Sequence, residues 1–259
     1  SDNSEFFVKK KIVKNRYNNK NKLVIISYKN INLSLDLKSY NRILKQIIIK
    51  PKYDLDLIIW CLIYRYRGLG YLGSMFGSIH PKQYEYLQNK NNMEIEGFGS
   101  FLNHTLKYYF GLFYDLEKYF GCLGNFYNGI FMKGIFLINP PYITENINDS
   151  IKHVLKQTEN NKVSFLFSLP VWDIKTRKLL NIKCSRKEMP TNYKTDMKIS
   201  LLNKSKYLVF KYIYCKEDFV YYDYLNEKNV NFADTYIILG IQLFFFDRIF
   251  LFLFRYLYK

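Results

Sequence analysis

Gly134-Ile135-Phe136-Leu137-Ile138-Asn139-Pro140-Pro141-Tyr142 is the stretch from which the rest of this chain can be ordered. Its apolar run is long enough for one buried strand. The two prolines that follow stop sheet pairing, fix φ and make a stiff turn where the strand leaves its neighbours. Open α/β sheets take their ligands at the carboxyl ends of their strands, and this turn stands at such an end. The pattern predicts an α/β fold with a binding feature at residues 139–142.

The residue types at that turn suit methylation of an exocyclic amine on a nucleobase or an amide. Such an amine is a poor nucleophile because its lone pair is delocalised into the ring. The Asn139 side-chain oxygen and the Pro140 carbonyl can each accept one of its N–H groups, and proline adds no competing donor. Held in this way, the nitrogen moves towards a tetrahedral shape and aims its lone pair at a methyl donor. Tyr142 would stack on the base, a contact worth roughly 1–3 kcal/mol. Positioning and electrostatics carry such a reaction without a strong base. A strand-ending Pro-Pro turn with no chemistry uses the same four residues.

Upstream, Met93-Glu94-Ile95-Glu96-Gly97-Phe98-Gly99-Ser100-Phe101-Leu102-Asn103 reads as a short strand and a small-residue loop. A helix is expected over residues 105–113. Strand, loop and helix in that order seat a nucleotide-like cofactor, with the loop backbone close to it and a later acid on its ribose. Asp115 and Glu117 are the acids in reach, though solvated loop charges fit them as well. Residues 119–126 hold a second glycine-bearing turn.

The succession Glu96-Gly-Phe-Gly-Ser-Phe-Leu-Asn103, Asp115-Leu-Glu-Lys-Tyr-Phe-Gly121, Asn139-Pro-Pro-Tyr142 resembles the phosphorylated-CTD-interacting-factor family of cap-specific adenosine N6-methyltransferases. That family runs Phe-Ala-Ser-Pro-Leu-Asn, Tyr-Phe-Gly-Ser, Asn-Pro-Pro-Phe in the same order with similar gaps. Ser78-Ile79-His80-Pro81 with Tyr84 resembles the family's preceding helix. Ser164 to Trp172 and Asp234 to Gln242 resemble later strands, so the likeness runs over roughly residues 58 to 242. Departures are Gly99 for Ala, Phe101 for Pro, Tyr142 for Phe, and Val171 for Glu before Trp172. The family's WW domain is not expected here, because the two tryptophans, Trp60 and Trp172, lie far apart.

The resemblance implies a Rossmann-like class I α/β methyltransferase using S-adenosyl-L-methionine, with a small N-terminal helical lobe. Asn139, Pro140, Pro141 and Tyr142 would be catalytic. Glu96, Phe98, Gly99, Ser100 and Asn103 would meet the cofactor, with Asp115 or Glu117 near its ribose. Arg65 and Arg67 are placed to meet cap phosphates, or are helix-end arginines favoured by the macrodipole. Trp172 would line the substrate side. The implied substrate is the 2′-O-methyladenosine next to the mRNA cap. Internal RNA or DNA adenine, or a non-catalytic RNA-binding scaffold, are the alternatives.

Composition agrees with a nucleic-acid partner: 39 Lys and Arg stand against 22 Asp and Glu, a net charge of +17 that attracts phosphate backbones. Lys, Asn, Ile, Tyr and Phe are also the residues of AT-rich codons, which raises lysine for another reason and points to a large DNA virus or an AT-rich protist. Cys61, Cys122, Cys184 and Cys215 have neither disulfide nor zinc spacing, and no histidine has ligand spacing. Reduced thiols fit an intracellular protein of nucleus or cytoplasm (a cytoplasmic replication site if viral), and no metal is expected.

Along the chain, residues 1–77 are expected to form a basic arm or solvated edge and a helical accessory lobe. Its helices are expected over residues 39–50 and 54–65, followed by a glycine-dotted loop over 68–77. Residues 78–242 would be the methyltransferase domain, with a helix over 144–157, strands over 163–169, 207–214 and 236–241, and a basic irregular insert over 173–203. Residues 243–259 are apolar but interrupted by Asp247, Arg248 and Arg255, too short for a membrane span. They suit docking on the core or on a protein partner. The basic start is not a signal peptide.

Overall fold

The computed structural model of the protein describes residues 7–15, 22–69, 77–91, 93–131, 133–172, 197–215, 219–224, 228–231 and 235–240. The chain begins with β1 (Lys9–Lys14), β2 (Lys22–Tyr28) and β3 (Ile31–Asp36), paired antiparallel in that order. Lys29 and Asn30, at φ 45° and 61°, make the two-residue turn between β2 and β3. Two left-handed residues match the twist of such a hairpin. Asp36 then caps α1 (Leu37–Lys45), accepting the Lys38 N–H at 2.8 Å. Asp54 caps α2 (Leu55–Gly68) in the same way.

This region corrects the helical reading of the N-terminal lobe. The solvated edge is a strand, β1, mostly exposed, and Val24, Ile26, Leu33 and Leu35 of its neighbours supply a buried face for both helices. The helix expected to reach residue 50 stops at Lys45, because the backbone of Ile48 is drawn away to the Tyr119 carbonyl at 2.9 Å. The second helix runs three residues past its expected end.

Next come β4 (Gly77–Ile79), α3 (Pro81–Asn91), β5 (Ile95–Glu96), β6 (Tyr108–Tyr109), α4 (Tyr114–Glu117), β7 (Lys133–Ile138), α5 (Thr144–Asn160) and β8 (Lys162–Pro170). The chain continues through α6 (Ile199–Asn203), β9 (Leu208–Tyr214), β10 (Tyr221–Asp223), β11 (Lys228–Val230) and β12 (Thr235–Gly240). Six strands form one sheet in the order β6-β5-β7-β8-β12-β9, and β11-β10-β4 form a smaller one. From β6 to β8 the pairing is parallel; β12 runs antiparallel to both β8 and β9.

Period-two alternation sorts the sheet's two faces. Phe136 and Ile138 of β7 join Phe165, Phe167 and Leu169 of β8 against Ile147, Ile151 and Val154 of α5. Ile135, Leu137 and Leu166 lie on the other face with Tyr84, Met93, Leu106, Phe219 and Tyr221. Both faces are covered, so β7 and β8 read as continuous apolar runs and not as alternating ones.

Two further expectations are corrected. Residues 105–113 contain no helix; they carry β6, parallel to β5. The Thr105 and Leu106 N–H groups that would have continued a helix are instead held by the Glu96 carboxylate at 2.6 and 2.8 Å. The end of the basic insert is ordered as α6, whose Ile199 and Leu202 are buried together with Met197. The rest of that insert (173–196), most of the glycine loop (70–76) and the apolar tail (243–259) lie outside the described residues.

Candidate active site

β5 is the point at which the strand order turns back. The chain leaves it for β6 on one side, while β7 lies on the other. Carboxyl ends of parallel strands at such a reversal leave a crevice. Gly97 follows β5 and donates to the Leu137 carbonyl of β7 at 2.7 Å, which sets the glycine loop against Ile138 and Asn139. A Cβ on Gly97 would stand 2.7 Å from Ile138 Cδ1 and 2.8 Å from Phe126 Cε2, so any larger residue would have to displace these side chains.

The loop after β5 is tied from inside. Ser100 and Asn103 are buried and bonded to each other, with Asn103 Oδ1 accepting both the Ser100 N–H and its hydroxyl at 2.8 Å. Phe101 is fully buried between Tyr66 of α2 and Phe120, with ring centroids 5.9 and 6.2 Å away. The apolar bulk that replaces the family's proline therefore anchors the loop to the N-terminal lobe. A Cβ on Gly99 would stand 2.9 Å from Tyr109 Cβ. Phe98 is half-buried and leans on Phe126, centroids 4.4 Å apart.

The three acids have different fates. Glu96 is buried, and besides the two backbone donors it accepts the Tyr84 hydroxyl at 2.8 Å; burial pushes its carboxyl up to about 7. Glu117 is also buried and shifted upward by burial. It takes the Phe101 and Phe113 N–H groups and the Tyr66 hydroxyl, each at 2.9 Å. Both are internal clamps that hold turns in place. Asp115 is 58% exposed and meets Arg65 Nη1 at 2.8 Å. Arg67, in the same last turn of α2, donates to the Ser34 carbonyl at 3.4 Å. Both arginines thus have protein partners, Arg65 on α4 and Arg67 within the N-terminal lobe.

At the end of β7 the Pro141 carbonyl accepts the Ile143 N–H at 2.7 Å, turning the chain into α5. Tyr142 donates its hydroxyl to Asn139 Oδ1 at 3.1 Å and meets the Tyr221 hydroxyl at 2.6 Å. Burial and the neighbouring Tyr221 keep that phenol protonated. Its ring stands edge-on to Trp172, centroids 5.7 Å apart, so the turns after β7 and β8 meet. Val171, in place of the family's glutamate, is buried in the sheet core.

The fold thus brings Gly97 to Asn103, Asn139 to Tyr142 and Trp172 to one edge, with Asp115 beyond β6. Sequence reasoning missed Tyr66, Tyr221, Ser168 and Thr235, and named Tyr84 only within the family resemblance. Ser168 alone carried a signal, as a polar residue inside the buried run of β8. The tyrosines were hidden by their abundance, 25 in all. Among the described residues no three His, Cys, Asp or Glu side chains could hold a metal ion, and no helix is long and apolar enough to cross a membrane.

Two relatives, from Mus musculus and Homo sapiens, each carry the name mRNA (2'-O-methyladenosine-N(6)-)-methyltransferase. Each is 31% identical over 121 residues. The similarity covers 44% of this chain and 17% of the relatives' length. The family model described as "Phosphorylated CTD interacting factor 1 WW domain" matches residues 39–209, from α1 into β9. Within that match Trp60 lies in the core of the N-terminal lobe and Trp172 in that of the large sheet, so they do not pair. The match takes in every candidate site residue on the crevice edge, and the chain belongs to the phosphorylated CTD interacting factor 1 family.

Proposed function

We propose that the protein is a Rossmann-like class I methyltransferase that transfers a methyl from S-adenosyl-L-methionine to N6 of adenine in RNA. Its preferred substrate is the adenosine next to an mRNA cap. The carrying observation is the Asn139–Tyr142 turn at the carboxyl end of β7, packed beside the Gly97–Asn103 loop where the strand order reverses. Family membership and the names of the two relatives support the same chemistry. On this reading residues 78–242 are the catalytic domain.

The crevice fits the cofactor by its chemistry. Phe98 is half-buried, and Leu112 and Leu123 are 53% and 45% exposed, apolar side chains of the kind an adenine ring seeks. Asp115, exposed beyond β6, is the acid suited to ribose hydroxyls, since Glu117 is spent on backbone donors. The cofactor supplies an electrophilic methyl on a sulfonium. Asn139 Oδ1 and the Pro140 carbonyl would hold the substrate amine, and Tyr142 and Trp172 would flank the base. A mobile 5′ adenosine needs little unstacking to enter.

One observation favours a second reading, a non-catalytic RNA-binding scaffold. Glu96, Glu117, Ser100 and Asn103 all turn inward onto the chain itself. Incubation with S-adenosyl-L-methionine and two RNAs beginning with adenosine, one N7-methylguanosine-capped and one uncapped, separates the readings. Nucleoside mass spectrometry should find the methyl on the first adenosine of the capped RNA, and Asn139→Ala should abolish it. Equal methylation of both RNAs would move the substrate to internal adenine. No product and no cofactor binding by calorimetry would leave the scaffold.

A further inference from the structure

The positive charge of this chain is gathered on one lobe. Residues 7–15 and 22–69, the described part of the N-terminal lobe, hold 13 Lys and Arg against three Asp. Residues 77–172 and 197–240 together hold 14 Lys, no Arg, and 13 Asp and Glu. AT-rich codons raise lysine along a whole chain, so they do not explain this contrast. The three aspartates are also occupied inside the lobe. Asp36 and Asp54 cap α1 and α2, and Asp56 holds Lys10 at 2.8 Å. Lys9 pairs with Ser27 and Lys11 with Ile25, out of phase with the buried Val24 and Ile26, so both lysines stand on the outward face of the sheet. A local excess of this size attracts polyanions.

The same lobe carries a flat aromatic surface. Trp60 of α2 is buried, donates its Nε1–H to the Ile31 carbonyl at 3.1 Å and takes Tyr28 edge-on at 5.2 Å. One helical turn further, the Tyr64 ring lies parallel to Trp60, with centroids 5.0 Å apart and 7° between the planes. Tyr64 is 50% exposed, so one ring face rests on a fixed indole while the other is open. The next residue is Arg65, whose guanidinium lies over Phe113 and meets Asp115. The platform thus stands on the helical turn that reaches the crevice edge.

We infer that Tyr64, backed by Trp60, is a stacking platform for an unpaired base of single-stranded RNA, on a lobe whose cations neutralise the neighbouring phosphates. A flat ring inside a positive field is the combination that holds single strands without reading their sequence. A ring already fixed by packing loses little rotamer freedom when a base lies on it. The inference takes from the proposed function only that the ligand is RNA. It concerns the strand that follows the methylated adenosine, not the crevice.

The experiment has a binding arm and a turnover arm, so that the two ideas fail separately. Fluorescence anisotropy measures a short, labelled, uncapped and unstructured RNA without S-adenosyl-L-methionine. The parent should bind it, more weakly as salt rises. Tyr64→Leu keeps Trp60 covered but removes the flat ring, and should weaken binding about tenfold, while Tyr64→Phe should bind like the parent. Tyr53→Leu, replacing a 69% exposed tyrosine just before the other end of α2, should change nothing. Unchanged affinity in Tyr64→Leu, an equal loss in Tyr53→Leu, or no rescue by phenylalanine would overturn the inference. A parent that binds no uncapped RNA would also overturn it and leave the lobe to an acidic protein partner. In turnover, Tyr64→Leu should raise KM for capped RNA about tenfold and leave kcat unchanged on a capped dinucleotide, which lacks the strand. Equal losses on both substrates would make Tyr64 a support of the crevice and overturn the platform. An inactive parent that still binds RNA through Tyr64 would remove the proposed function and leave the platform standing.

Discussion

The Tyr66 hydroxyl of α2 donates to Glu117 Oε1 at 2.9 Å, and the same oxygen accepts the backbone N–H of Phe101. One buried carboxylate oxygen thus joins the N-terminal lobe to the loop after β5. The α2 helix is therefore part of what shapes the crevice, although it contributes no strand to the large sheet. Removing one partner from such a bond leaves a buried group without its full solvation, which costs more than the bond contributes on average.

Tyr66→Phe should accordingly lower stability by about 1–3 kcal/mol in urea unfolding. On the proposed function it should also weaken S-adenosyl-L-methionine binding by calorimetry, because the loop loses its tether. Unchanged unfolding would mean that Glu117 is held by the backbone donors alone.

Two glycines should respond oppositely to alanine. A Cβ on Gly111 would stand 2.6 Å from Glu117 Oε2, so Gly111→Ala should displace the clamp and cost about 1–3 kcal/mol. Gly68, in the last turn of α2, has nothing within 4 Å of the new carbon. Gly68→Ala should gain about 0.4–1 kcal/mol from the stiffer unfolded chain. Thermal unfolding of the two variants gives both signs in one experiment.

Glu96 and His104 make opposing contributions to stability against pH. Burial raises Glu96 from 4.5 to about 7, so the folded protein binds the extra proton between those values and loses stability as pH rises through them. Burial lowers His104 from 6.5 to about 4, so its contribution is present above 6.5 and lost as pH falls towards 4. In Glu96→Gln the proton uptake at Glu96 is gone while the contribution of His104 stays. Acidification from pH 7 to pH 5 should therefore destabilise Glu96→Gln more steeply than the parent, by up to about 1.4 kcal/mol per pH unit. Parallel curves would show that Glu96 does not take up a proton in that range.

Asp115→Asn should leave stability within about 1 kcal/mol, since its pairing with Arg65 is exposed. If it is the ribose acid, the same change should weaken S-adenosyl-L-methionine binding about tenfold, the loss of roughly 1.4 kcal/mol. Undiminished affinity would return the ribose to backbone groups of the loop.

What could be read directly from sequence were elements with strong local punctuation. The Pro140-Pro141 turn ends β7 as expected, α5 begins at Thr144 as expected, and the apolar runs of β8 and β12 emerge within one residue of their predicted limits. The failures lie where a distant group took over the backbone. Residues 105–113 lost their helix to the Glu96 carboxylate, and residues 46–50 lost theirs to the Tyr119 carbonyl. The basic start looked like an unpaired arm because β1 gains its structure from pairing with β2.

By itself, the sequence determined the order of the turns that end β5 and β7, because proline, glycine and buried apolar runs act on the chain within a few residues. Only the tertiary structure decided that Glu96 and Glu117 are internal clamps while Asp115 stays exposed. It alone showed that Phe101 anchors the loop and that Tyr221 reaches Tyr142 from a second sheet. Three acids in one short stretch look alike in sequence. Burial and the donors brought to each from elsewhere are what set them apart.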